Sequence, residues 1–66
     1  MKALVNGEEW ELAADTTVAD VMFRLRAPES GIAVAHRGAL LPRAAWPDTP
    51  VRDGDEIEVL TAVQGG

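Results

Sequence analysis

The chain has 66 residues, no cysteine and a formal net charge of -5 at pH 7. A single domain of that size buries about 60% of the surface its unfolded form exposes, which leaves one small core and little room for a walled active site. Without cysteine there is no disulfide, thiolate metal site or cysteine nucleophile, and the acidic balance sets the surface against phosphate backbones, so no nucleic-acid partner is expected.

Met1-Lys2-Ala3-Leu4-Val5 opens the chain as a short, mostly apolar strand. Asn6-Gly7 follows, a strong hairpin signal because both central positions of a type I′ turn need positive φ. In Glu8–Leu12, Trp10 and Leu12 alternate with Glu9 and Glu11, as in a strand with one buried side. After a connection over residues 13–16, Thr17 is a plausible helix N-cap with Asp20 at the third helical position. That pair is not the standard Glu/Gln capping box. Val18, Val21, Met22 and Leu25 recur on one helical face, Arg24 and Arg26 favour the C-terminal end of the dipole, and Pro28 is expected to end the helix. Phe23 lies off the stripe; flank packing is favoured for it over a partner contact.

Ile32-Ala33-Val34-Ala35-His36 is nearly all apolar and reads as a strand buried deep in a sheet. His36 is taken as a solvated strand-end residue, and one histidine cannot build a metal site. Arg37-Gly38 turns the chain into Ala39–Leu41. The stretch 42–50, with Pro42, Pro47, Pro50 and Trp46, reads as irregular, and Trp46 as a cap on the core. Asp53-Gly54-Asp55 turns into a last strand, Glu56–Val63, that runs into Gln64-Gly65-Gly66.

The order β-β-α-β-β-β predicts an α+β fold of the β-grasp, or ubiquitin-like, kind: a mixed sheet of about five strands with one helix packed across one face. The last strand is expected to pair in parallel with the first. The expected division is a single domain over 1–63 and a flexible tail over 64–66. No apolar run approaches a membrane span and no secretory signal is evident, so a cytoplasmic location without a membrane partner is expected.

Two readings of Gly65-Gly66 stand side by side. Terminal residues are often frayed. A glycine pair without Cβ atoms is also thin enough to enter a narrow active site and offer a carboxylate to a reagent. From Val63 outward, three residues reach at most roughly 10–11 Å when extended.

The chain as a whole resembles the ThiS family, the sulfur carriers of thiamine thiazole biosynthesis. The resemblance is carried by the opening strand into Asn6-Gly7, by Thr17-Val18-Ala19-Asp20-Val21-Met22, and by Ile32-Ala33-Val34-Ala35. It continues through Leu41-Pro42-Arg43-Ala44-Ala45-Trp46, Asp53-Gly54-Asp55 and Gly65-Gly66. The Pro42-Arg43-x-x-Trp46 piece discriminates best against the MoaD-type carriers of molybdopterin synthesis, which are usually longer. Gln64 departs from the small residue often found there.

The resemblance implies a protein co-substrate, not an enzyme. A ThiF-type adenylating enzyme would use MgATP to activate the Gly66 carboxylate. A sulfur donor system would convert the adenylate to a thiocarboxylate, and a ThiG-type thiazole synthase would receive the sulfur. Gly66 would carry the sulfur, with Gly65 and Gln64 needed for access. The chain itself would bind no cofactor and no metal. Two alternatives are a MoaD-like or other pathway carrier and a ubiquitin-like protein modifier.

Leu41, Leu60 and Val63 are candidates for an apolar docking patch near the tail, as in ubiquitin-like carriers. Arg43 either meets a partner's acidic group or satisfies local carbonyls. Asp53, Asp55, Glu56 and Glu58 read as a solvated acidic face able to steer toward basic partners.

Overall fold

The structure, a computed structural model, describes residues 1–27 and 31–61. Strands β1 (Lys2–Val5) and β2 (Glu8–Glu11) form an antiparallel hairpin, with Asn6 and Gly7 at φ 53° and 80°. Helix α1 (Val18–Leu25) leads to β3 (Ile32–His36), which pairs antiparallel with β4 (Ala39–Leu41). A 3₁₀ helix at Arg43–Asp48 precedes β5 (Glu56–Thr61). The sheet order is β2-β1-β5-β3-β4. β5 runs parallel to β1 and antiparallel to β3. This is the expected β-grasp arrangement.

One face of the sheet is covered. Ala3, Val5, Val34 and Ile57 are buried there beneath Val18, Val21 and Met22 of α1. Leu12, Trp46 and Val51 complete the core. The indole Nε1 of Trp46 donates to the Leu41 carbonyl at 3.2 Å, so the ring is buried with its polar atom satisfied. The expected capping of the core by Trp46 is what the structure has.

The start of α1 is better secured than its sequence suggests. Thr17 Oγ1 accepts from the Asp20 N–H at 3.3 Å, and Asp20 Oδ2 accepts from the Thr17 N–H at 2.9 Å. Asp20 thus completes a reciprocal capping box in place of the usual longer acid.

The helix ends earlier than expected. It stops at Leu25, and Arg26 takes the left-handed conformation at φ 57°, ψ 43°, with its N–H turned back to the Met22 and Phe23 carbonyls. Pro28 lies outside the described residues. A left-handed conformation costs a residue with a Cβ roughly 1–2 kcal/mol. A cation at an exposed helix C-terminus returns only about 0.3–1 kcal/mol.

Five further expectations are corrected. β3 is interior to the sheet, but only Val34 is fully buried and Ala33 is exposed. The single helix α1 packs on one face, so among the described residues no helix covers the other face, to which Ala33 belongs. Phe23 does not pack at the flank; it is 87% exposed. The stretch after Pro42 is not irregular, since a 3₁₀ helix brings Trp46 inward against α1. Asp55 is not part of a solvated face, and His36 is not a solvated end. Asp55 is buried, and His36 Nε2 lies 2.8 Å from its Oδ2.

Candidate functional site

β5 is the central strand, and its described part ends at Thr61. It is held on both sides as far as Val59 and, among the described residues, by β3 alone beyond that. Thr61 and Leu60 pair with Ile32 and Ala33 of β3. On the other side β1 ends at Val5, but the Asn6 N–H donates to the Ile57 carbonyl at 2.9 Å. Asn6 Oδ1 then accepts from the Val59 N–H at 2.7 Å. The side chain extends the β1–β5 ladder after the β1 backbone has turned away. Sequence reasoning assigned Asn6 to the turn alone. Asparagine and glycine both suit that backbone, and only asparagine brings an acceptor.

The open sheet face carries the apolar candidates. Strand alternation puts Leu60, 54% exposed, on the same face as Ala33, Ala35 and Leu40, the last 74% exposed. Glu56 and Glu58 precede Leu60 on that face and are exposed, as expected of solvated acids. Leu41 is not beside Leu60. It pairs with Val34 and belongs to the covered face, half-buried. The exposed leucine of β4 is Leu40, which the sequence reading passed over. Adjacent strand residues point to opposite faces, so only the register separates the two.

Arg43 is exposed, with its guanidinium 5.3 Å over the Trp46 ring. It lines an open groove beside β4 with Leu40, Leu41, Pro42 and Ala33. Val63, Gln64, Gly65 and Gly66 lie outside the described residues.

Asp55 ties the beginning of β5 to its neighbours. Its Oδ2 accepts from the Arg52 N–H at 2.8 Å, its backbone carbonyl accepts from the Leu4 N–H at 2.8 Å, and Arg37 Nε lies 3.8 Å from its Oδ1. Burial pushes the Asp55 carboxyl up. The hydrogen bonds from His36 and Arg52 and the charges of His36 and Arg37 outweigh it and hold the pKa below the ordinary value. This cluster lies at the start of β5, at the end opposite Thr61. Among the described residues no group of His, Asp and Glu could hold a metal ion. No described helix is long and apolar enough to cross a membrane.

Known proteins share this arrangement. The sulfur carrier protein ThiS of Escherichia coli is 32% identical over 66 residues, covering both chains completely. A thiazole synthase of Paramagnetospirillum magneticum is 30% identical over the whole of this chain, which spans 20% of that protein's length. The crystal structure of a thiamine biosynthesis protein, ThiS, from Geobacter metallireducens superposes with a TM-score of 0.82 at 30% identity, over 100% of each chain. The solution structure of a thiamine biosynthesis protein from the same organism gives 0.79 at 30% identity, covering all of this chain and 88% of that one. The ThiS family profile matches residues 3–66. With the family pattern running through almost the whole sequence, on a fold shared end to end with a solved member, the chain belongs to the ThiS family.

Proposed function

We propose that this chain is a sulfur carrier of thiamine biosynthesis, a protein co-substrate acted on by other enzymes. The folded body spans residues 1–63, and residues 64–66 form the tail that enters the partners. The observation that carries this reading is the family match extending to residue 66, through both glycines.

The chemistry suits the residues. A carboxylate is a poor electrophile. A ThiF-type enzyme would let the Gly66 carboxylate attack the α-phosphate of MgATP, forming an acyl adenylate and releasing pyrophosphate. Sulfide sulfur from a donor system would then attack the acyl carbon and expel AMP, leaving a thiocarboxylate. The loaded carrier would give that sulfur to a ThiG-type thiazole synthase. With no cysteine in the chain, a persulfide on a side chain is excluded. The open face around Leu60, Leu40 and Ala33, flanked by Glu56 and Glu58, supplies an apolar docking patch with acidic steering.

Intact-protein mass spectrometry tests the reading. The chain is incubated with MgATP, a cognate adenylating enzyme and sulfide. The expected result is replacement of one oxygen by sulfur, localised to the C-terminal peptide. An isopeptide-linked product would point instead to a protein modifier. Absence of both adenylate and thiocarboxylate with a demonstrably active enzyme would sink the proposal.

A further inference from the structure

Among the described residues, three with side chains adopt positive φ: Asn6, Arg26 and Arg37. Two have an evident reason within the fold. Asn6 supplies the acceptor for Val59. Arg37 stands over the buried carboxylate of Asp55. Arg26 makes no ion pair among the described residues, and its exposed side chain sits where glycine is the usual helix terminator. The helix dipole does not account for it, because Arg24 already occupies the last turn and the dipole effect is the weaker of the two. The backbone conformation closes the helix, with the Arg26 N–H on the Met22 and Phe23 carbonyls; what lacks a cause among the described residues is an arginine there in place of glycine, and that points to a use of the side chain outside the fold.

The surroundings of Arg26 say what that use is. It lines an open cleft of about 290 Å³ whose half-buried apolar residues are Leu25, Ala27, Ile32 and Val59. Thr61, the last described residue of β5, lines the same cleft. The cleft therefore lies at the end of the described part of β5, the end nearest the C-terminal glycines in sequence. It offers one cation beside an apolar lining, in a chain whose net charge is -5. Phe23, three residues before Arg26, is the most exposed large apolar side chain among the described residues. This site is separate from the open sheet face: Val59 and Ile32 belong to the covered side, while Leu60 and Ala33 belong to the open one.

We propose that Arg26 and this cleft form a second docking site for the adenylating enzyme, at the Thr61 end of β5; this rests on the sulfur-carrier reading above. The cleft takes an apolar side chain from the rim of the enzyme's tail entrance, and the guanidinium takes a carboxylate beside it. Contact at that point aims the strand end at the entrance, while the sheet face supplies docking area. The partner surface here is acidic, opposite in sign to the surface that Glu56 and Glu58 attract.

The test uses the full chain, the cognate adenylating enzyme and pyrophosphate exchange, comparing Arg26→Gly, Arg26→Lys and Arg26→Glu. Glycine suits the left-handed position, so Arg26→Gly should melt at the wild-type temperature or above it. Its KM for the carrier should still rise ~10-fold with kcat little changed, the mark of lost binding. Arg26→Lys should recover part of that loss, and Arg26→Glu should exceed it. Arg52→Ala, before β5 begins, should leave KM unchanged. A wild-type KM in both the Gly and Glu variants would overturn the docking site while leaving the carrier reading intact. Absence of exchange with the wild-type chain and an active enzyme would overturn both.

Discussion

Asn6 Oδ1 accepts a hydrogen bond from the Val59 N–H at 2.7 Å, linking the first hairpin turn to β5, the central strand. The bond replaces a ladder contact that β1 cannot make once it has turned at Val5. Removing the acceptor while keeping the turn isolates its role. Asn6→Gly should cost about 1 kcal/mol, net of any gain at the turn, and speed amide exchange at Val59. Asn6→Asp keeps an acceptor and should preserve Val59 protection. Equal exchange at Val59 in all three proteins would show that the side chain does not hold the strand end.

The Asp55 cluster makes a pH prediction. Its folded pKa is lowered, so its contribution to stability is complete above the unfolded value of 3.8 and is lost as pH falls through the folded value. Asp55→Asn should destabilise the protein by about 2–3 kcal/mol near neutral pH, because the buried partners lose a charged acceptor. Urea unfolding of both proteins at about pH 7 and about pH 3 should show the gap narrowing in acid. A gap of constant size would mean that the carboxylate charge contributes nothing.

The leucine pair of β4 separates packing from docking. Leu40→Ser, at an exposed site, should change stability by no more than about 0.5 kcal/mol. It should weaken binding to the adenylating enzyme by ~10-fold. Leu41→Ala should instead cost about 2 kcal/mol through lost packing. Denaturant midpoints and titration calorimetry read the two effects. The reverse ranking would place docking on the covered side of β4.

Trp46 closes the core under the 3₁₀ helix and is 7% exposed. Trp46→Ala should cost about 3–5 kcal/mol, enough to threaten the fold of so small a domain. Trp46→Phe keeps most of the packing and loses the bond to the Leu41 carbonyl, at a cost of about 1 kcal/mol. Circular dichroism melts check both; a Trp46→Ala protein that melts like wild type would contradict the core role.

Local chemistry carried the fold a long way. Asn6-Gly7 specifies its turn through the positive φ that both residues tolerate. Val18, Val21, Met22 and Leu25 specify the inward face of α1 by spacing alone. The order of these elements, with Ile57 and Val59 alternating against Glu56 and Glu58, was enough for the β-grasp and for the parallel return of β5 beside β1. These features depend on residues a few positions apart, whose preferences survive into any fold that contains them.

Tertiary structure decided what depends on distant partners. Leu40 rather than Leu41 faces outward because the β3–β4 register sets the parity, and one residue of slip would exchange them. His36 and Asp55 are nineteen residues apart; only the alignment of β3 with β5 brings the imidazole to the carboxylate. Phe23 is exposed because none of the described residues covers the outer side of α1, a fact about absent neighbours that spacing cannot encode. Arg26 reads as one more cation near a helix end until the backbone shows it left-handed, beside a cleft assembled from α1, β3 and β5. Burial and pairing are properties of the assembled sheet, so a linear pattern supplies the candidates and the packing chooses among them.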